Sequence, residues 1–351
     1  MEGAGSVMLS QICRHDVVLI VVMSYLLSVA PSSALAASTV DTSTAVLIRV
    51  DPSGQGDFKK IQDAIDAVPS NNSELVFILV KPGTYREKIV VPADKPYITL
   101  SGRQASSTTI TWDDAGDIFG SPTFAVLASD FVGRYLTIEN THGKMGKAVA
   151  LRVAGDRVAF YNCRILSYQD TLLDDQGRHY YSNCFVQGAI DFIFGNAASL
   201  FQKCHLHSVA EGVGTITAQK RMSPEENTGF TFLACKITGN PTGSVLLGRP
   251  WGAYSRVIYA LTYMSPAVSP LGWDDWGNSS RQSTVYYAEY KCYGPGAGRE
   301  KRVAWSRSIT RQEAEQFLTT DMIGGRGWLR PAPIHFKKGF SAIAVKANKN
   351  N

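Results

Sequence analysis

Four short runs share one pattern, and that pattern restricts the fold more than any other feature of the chain. Phe160-Tyr161-Asn162-Cys163-Arg164-Ile165, Tyr181-Ser182-Asn183-Cys184-Phe185-Val186, Phe201-Gln202-Lys203-Cys204-His205-Leu206 and Phe232-Leu233-Ala234-Cys235-Lys236-Ile237 each read aromatic, two residues, Cys, one residue, aliphatic. The cysteines are 21, 20 and 31 residues apart. A period near 20 marks a solenoid, in which each coil buries its face only against its neighbours. The longer interval predicts a loop thrown out of one coil. Short β-rich runs (76–80, 97–100, 108–112, 135–138 and 148–153) are punctuated by Gly, Asn and Asp, as turns require. The expected fold is all-β, a right-handed parallel β-helix. A leucine-rich repeat needs Leu at fixed positions that are missing here, and an antiparallel sandwich would not repeat Cys at coil spacing.

Two helices are expected at the margins. Phe58, Ile61, Ala64, Ile65 and Val68 fall on one face of residues 58–68, ended by Pro69, and would cap the N-terminal end of the solenoid. Thr310 and Glu313 form a capping box that opens a C-terminal helix through Leu318.

The period brings two acids together. Asp170, in Gln169-Asp170-Thr171-Leu172, and Asp191, in Asp191-Phe192-Ile193-Phe194-Gly195, are also 21 residues apart, and each lies seven residues after a cysteine of the repeat. They should occupy the same place on neighbouring coils, which stack at about 4.7–4.9 Å. At that separation one carboxyl can hold a proton while the other stays ionised. Single aspartates usually cap turns, but Asp191 is followed by apolar Phe-Ile-Phe and Asp170 by Thr-Leu-Leu, and burying two like charges is costly without a task or a partner. Glycosidases, aspartic peptidases and some esterases use such pairs. Leu172 stands where an aspartic peptidase needs Gly, and no G-x-S-x-G elbow exists. The residues alone lead to a carboxylate-pair hydrolase on a β-helix.

The N-terminus bears on compartment. Arg14 and His15 precede the apolar stretch 17–30, and Ala34-Leu35-Ala36 offers a cleavage site, so residues 1–36 read as a secretory signal. The apolar run is short for a membrane span, and no other segment could cross a membrane. Removing residues 1–36 leaves 34 Lys and Arg against 28 Asp and Glu, a net +6. A basic secreted protein suits a polyanionic polysaccharide, and nucleic acid is not expected as a partner. Of six cysteines, Cys163, Cys184, Cys204, Cys235 and Cys292 remain. Secretion permits disulfides, but an odd count leaves at least one thiol without a partner in the chain. No metal-ligand spacing occurs, so no metal or other cofactor is expected. Asn71 and Asn278 begin glycosylation sequons and should lie on the surface.

The chain resembles the plant pectin methylesterases. The matching runs are Gly83-Thr84-Tyr85-Arg86-Glu87, Gln169-Asp170-Thr171-Leu172, Asp191-Phe192-Ile193-Phe194-Gly195 and Leu247-Gly248-Arg249-Pro250-Trp251, with Gly272-Trp273 and Trp276 fitting a further signature. They keep the family's order between about Val46 and Trp328. The resemblance implies the same β-helix, with a catalytic domain over 46–335, a linker over 37–45 and a tail over 336–351. It implies the short form, without the N-terminal inhibitor-like region. Its implied substrate is methyl-esterified homogalacturonan in the extracellular cell wall. A monomer is expected, open to an external proteinaceous inhibitor. By resemblance, Asp191 is the nucleophile, Asp170 the acid and base, Gln169 an oxyanion donor and Arg249 the partner that keeps Asp191 ionised. Trp251 and Trp273 correspond to exposed tryptophans on which sugar rings stack.

One position departs from the family. Lys147 stands where a second Gln usually precedes Ala148-Val149-Ala150-Leu151-Arg152. Lysine can donate to an oxyanion, can pair with an aspartate and spoil the acid, or can point to solvent. A pectin-binding pseudoenzyme and a β-helix pectin depolymerase are the alternative readings. Glu211 shares the aspartates' register but is read as surface. His142, His179, His205 and His207 show no triad spacing. Arg299, Lys301, Arg302, Arg307 and Arg311 read as a solvated basic face.

Overall fold

The protein is described by a computed structural model covering residues 40–240 and 243–340. The expected signal segment 1–36, Cys13 and the end of the tail lie outside the described residues. Within them the chain winds through three parallel sheets of 12, 7 and 8 strands. Each coil visits the sheets in turn, as in Val158–Tyr161, Arg164–Leu166 and Leu172–Asp174, followed by Arg178–Ser182, Phe185–Gly188 and Ile193–Gly195.

The cysteine repeat is the corner between two of these sheets. The residue before each cysteine takes a left-handed conformation, with φ 53° at Asn162, 52° at Asn183, 55° at Lys203 and 52° at Ala234. Asn tolerates that region better than Ala or Lys. The corner turns the next side chain inward, where there is room for a small one. Three of these thiols then donate to a carbonyl of the preceding coil: Cys184 to Phe160 O at 3.5 Å, Cys204 to Tyr181 O at 3.4 Å, Cys235 to Phe201 O at 3.3 Å; Cys163 donates within its own coil, to Tyr161 O at 3.4 Å. All five described cysteines are free thiols. Small size and weak donor capacity therefore explain the repeat, without any cross-link.

The aromatic member of each run stacks along the axis. Phe160 pairs in register with Tyr181, Tyr181 with Phe201, Phe201 with Phe232 and Phe232 with Tyr259. Ring centroids in the last three pairs are 4.4, 4.7 and 4.6 Å apart. Burying rings of this size dominates the core's apolar gain. The expected loop is the segment 220–228, between strands Gly214–Gln219 and Gly229–Leu233. It is tied down by Arg221, whose Nε donates to Glu226 O at 2.8 Å.

The N-terminal helix is shorter than expected, Ile61–Asp66, because Phe58 bridges to Val50 instead of entering it. Glu87 accepts from the amides of Ile61 and Gln62, each at 3.0 Å, at the end where a helix attracts negative charge. Glu87 thus gives the Gly83–Glu87 motif a structural role. The C-terminal helix covers Arg311–Glu315 and has the capping box of Thr310 and Glu313. The first strand starts at Thr44, and strand His335–Lys337 pairs with it. Asn71 and Asn278 are both exposed.

Candidate active site

Parallel pairing sets the two aspartates one rung apart. Leu172 is in register with Ile193, and Gln169 bridges both Lys147 and Ile190 on the flanking coils. The Asp170 amide donates to Ile190 O at 3.1 Å. Asp170 and Asp191 both have positive φ, 61° and 46°. Non-glycine residues held in this region are strained, and such strain gathers at functional sites. The bend aims both side chains to one side of the strands that follow. Both are nearly buried, 6% and 7% exposed.

Their electrostatics differ. Arg249, on strand Val245–Pro250, grips Asp191 with both prongs, Nε to Oδ1 at 2.9 Å and Nη2 to Oδ2 at 2.6 Å. Burial still raises the Asp191 carboxyl above its ordinary value, against the pull of Arg249 and, more weakly, Lys147. Asp170 has no ion-pair partner among the described residues. Burial first, and the charge of Asp191 second, push it up to about 7, while Lys147 and Arg249 oppose the rise. One acid therefore keeps a proton near neutrality beside a carboxylate clamped by a guanidinium.

The two acids, Lys147, Gln169 and Arg249 open into a cavity of about 260 Å³, walled by Ile118, Phe194, Ala218, Trp251 and Trp276. The apolar walls follow from strand alternation: Ile193 points inward, so Phe194 points out, with Ala218 above it in register. The Trp251 ring lies 6.0 Å from Phe194. Trp276 is 39% exposed, and its ring lies 4.0 Å from the Arg249 guanidinium.

Trp273 is a correction. It is 1% exposed, stacks on Tyr287 at 4.3 Å and donates from Nε1 to Glu289 at 3.4 Å. Its bridge to Gly248 continues the coil, so its ring turns into the core, and the chain emerges only at Trp276, where φ is 58°. The aromatic wall belongs to Trp251 and Trp276. Lys147 lines the cavity and is exposed, yet makes no ion pair with either aspartate. Sequence reasoning missed Ile118 and Phe194. The alternation after Asp191 would have found Phe194, whereas Ile118 sits in a loop with no pattern to betray it.

The remaining candidates have other roles. Glu211 is exposed and pairs with Lys144. His179 is buried, with Nδ1 2.6 Å from Asp174 Oδ1 and Nε2 2.8 Å from Gly155 O. The basic cluster is not one solvated face: Arg302 is buried and, with Arg299, neutralises the buried Glu289.

Comparison with known proteins bears on the family and the fold. The family model described as Pectinesterase matches residues 47–326. An Arabidopsis thaliana protein named "Putative pectinesterase 11" is 61% identical over 302 residues, covering 86% of this chain and 85% of that protein. Pectinesterase QRT1 from the same plant is 44% identical over 301 residues, covering 81% and 79%. Among solved structures, the pectin methylesterase from carrot superimposes with a TM-score of 0.77 at 35% identity, covering 84% of this chain and 98% of that one. A family model that spans most of the chain, relatives this similar and a shared parallel β-helix together make this protein a member of the pectinesterase family.

Proposed function

We propose that the protein is a secreted esterase that hydrolyses the methyl esters of homogalacturonan in the cell wall and releases methanol. The observation that carries the reading is the unequal acid pair, Asp170 held protonated up to about pH 7 beside Asp191 held by Arg249.

The chemistry follows from those states. The Asp191 carboxylate attacks the ester carbonyl carbon and the carbonyl electrons move onto oxygen. Gln169, and the ammonium of Lys147 at the same register one coil away, are the donors available to that oxyanion. A donor aimed at a developing oxyanion is worth about 3–4 kcal/mol. The tetrahedral centre collapses, the C–O bond to methoxide breaks, and Asp170 gives its proton to form methanol. Asp170, now ionised, takes a proton from water. The resulting hydroxide attacks the acyl-enzyme anhydride, the anhydride C–O bond breaks to regenerate the Asp191 carboxylate, and the freed galacturonic acid loses its proton to solvent. Trp251 and Trp276 offer ring faces for the sugars on either side.

The test is methanol release from highly methylated pectin by the purified protein, with polymer length followed in parallel. Methanol without chain shortening supports the reading. Chain shortening would mark a depolymerase, and pectin binding without methanol would mark a pseudoenzyme.

A further inference from the structure

The outer face of the eight-stranded sheet carries a row of side chains that the reaction does not use. Parallel register sets Arg164, Phe185, His205, Lys236, Tyr263 and Tyr293 on successive coils. At the spacing of stacked strands the row runs about 24 Å along the solenoid. The next residue in each strand, from Ile165 through Val186, Leu206 and Ile237 to Met264, is buried, so the row itself faces outward.

Its chemistry is aromatic and cationic. Arg164 and Lys236 are exposed, and Tyr293 is 58% exposed. The Arg164 guanidinium lies 4.8 Å from the Phe185 ring, and the rings of Tyr263 and Tyr293 meet at 5.6 Å. Lys236, Thr238, Tyr263 and Tyr293 help wall a hollow of about 480 Å³. Thr238 also bonds His205 and His207, each at 2.7 Å, which fixes the two rings on the floor of the row. The sheet corner adds two exposed cations, Lys203 and Lys291. Among the described residues no carboxylate pairs with Arg164, Lys203, Lys236 or Lys291, and the row contains no acid. Unneutralised cations on one face attract a polyanion, and the half-buried rings of Phe185 and Tyr263 and the exposed ring of Tyr293 suit the flat faces of sugars.

We propose that this row is a second saccharide site, on the sheet beside the cleft, that binds a de-esterified polyuronate chain. The identity of the polymer rests on the reaction proposed above, whose product is such a chain. The cations meet the carboxylates that hydrolysis exposes. A fully methylated chain carries no such charge, so the row discriminates product from substrate. The row shares no residue with the catalytic cavity.

The experiment is calorimetric binding at low salt, using the full chain and oligogalacturonates of one length, either fully de-esterified or fully methylated. Lys203→Glu combined with Lys236→Glu should weaken binding of the de-esterified oligomer by about tenfold or more. Tyr293→Ala should weaken it by about threefold or more. Methanol release from a short methylated oligomer should stay within about twofold in every variant. The proposal is overturned if the de-esterified oligomer binds the charge-reversed protein as tightly as wild type. It is also overturned if dextran sulfate binds equally well and Tyr293→Ala changes nothing, since the row is then a plain basic patch. An absence of methanol release by wild type would sink the reaction separately, leaving the binding comparison readable.

Discussion

At the scale of single residues, two carboxyl groups of the same chemistry are separated by what surrounds them. In the proposed reaction methanol departs with the proton of Asp170, so turnover should fall as pH rises through about 7. Lys147 pulls the Asp170 carboxyl down. Lys147→Gln should therefore move the alkaline limb of the pH–rate profile to higher pH, and wild type should remain active. A wild type that releases no methanol between about pH 5 and 9, with activity restored in Lys147→Gln, would show that the lysine disables the acid. Arg249→Lys keeps the charge but loses the two-pronged grip, and should lower turnover by roughly 100-fold in a methanol assay. The tryptophans should divide by role. Trp273→Ala empties the core and should cost about 3–5 kcal/mol in chemical denaturation. Trp276→Ala should leave stability near wild type and raise KM.

At the scale of elements, the turn after Asp191 is held by backbone contact. Gly195 has φ 127°, and a Cβ there would meet the Asp174 carbonyl oxygen at 2.0 Å. Gly195→Ala should destabilise the protein by about 2 kcal/mol or more, while Gly212→Ala, which meets open space, should stay within about 0.5 kcal/mol. Urea denaturation of the two variants reads the difference. The same contrast shows what the sequence could reveal. Coil spacing was legible because every coil repeats one burial problem, and the register of Asp170 on Asp191 came with it. The helix at residues 61–66 was legible in place but not in length, since Phe58 joins a neighbouring strand instead. The choice between Trp273 and Trp276 was hidden, because it depends on where a coil ends. The cysteines pointed to the right corner, but their spacing gave no sign that they donate to backbone carbonyls rather than bond to one another.

At the scale of the molecule, the site works against stability. Asp170 binds its proton more tightly folded than unfolded, at about 7 against an ordinary 3.8. Its stabilising contribution is full below 3.8 and is lost as pH rises through about 7. Asp170→Asn should flatten that part of the stability–pH curve and make the variant more stable than wild type at pH 8, as read by denaturation midpoints. The solenoid tolerates this because its aromatic stack lies in a separate layer from the cavity. In the proposed reaction Asp191 forms the bond to substrate. The direct measurement is methanol release from methylated pectin by Asp191→Ala, with circular dichroism to confirm the fold. Turnover should fall to background in a protein that keeps its β-helix signature; turnover retained in that folded variant would contradict the claim.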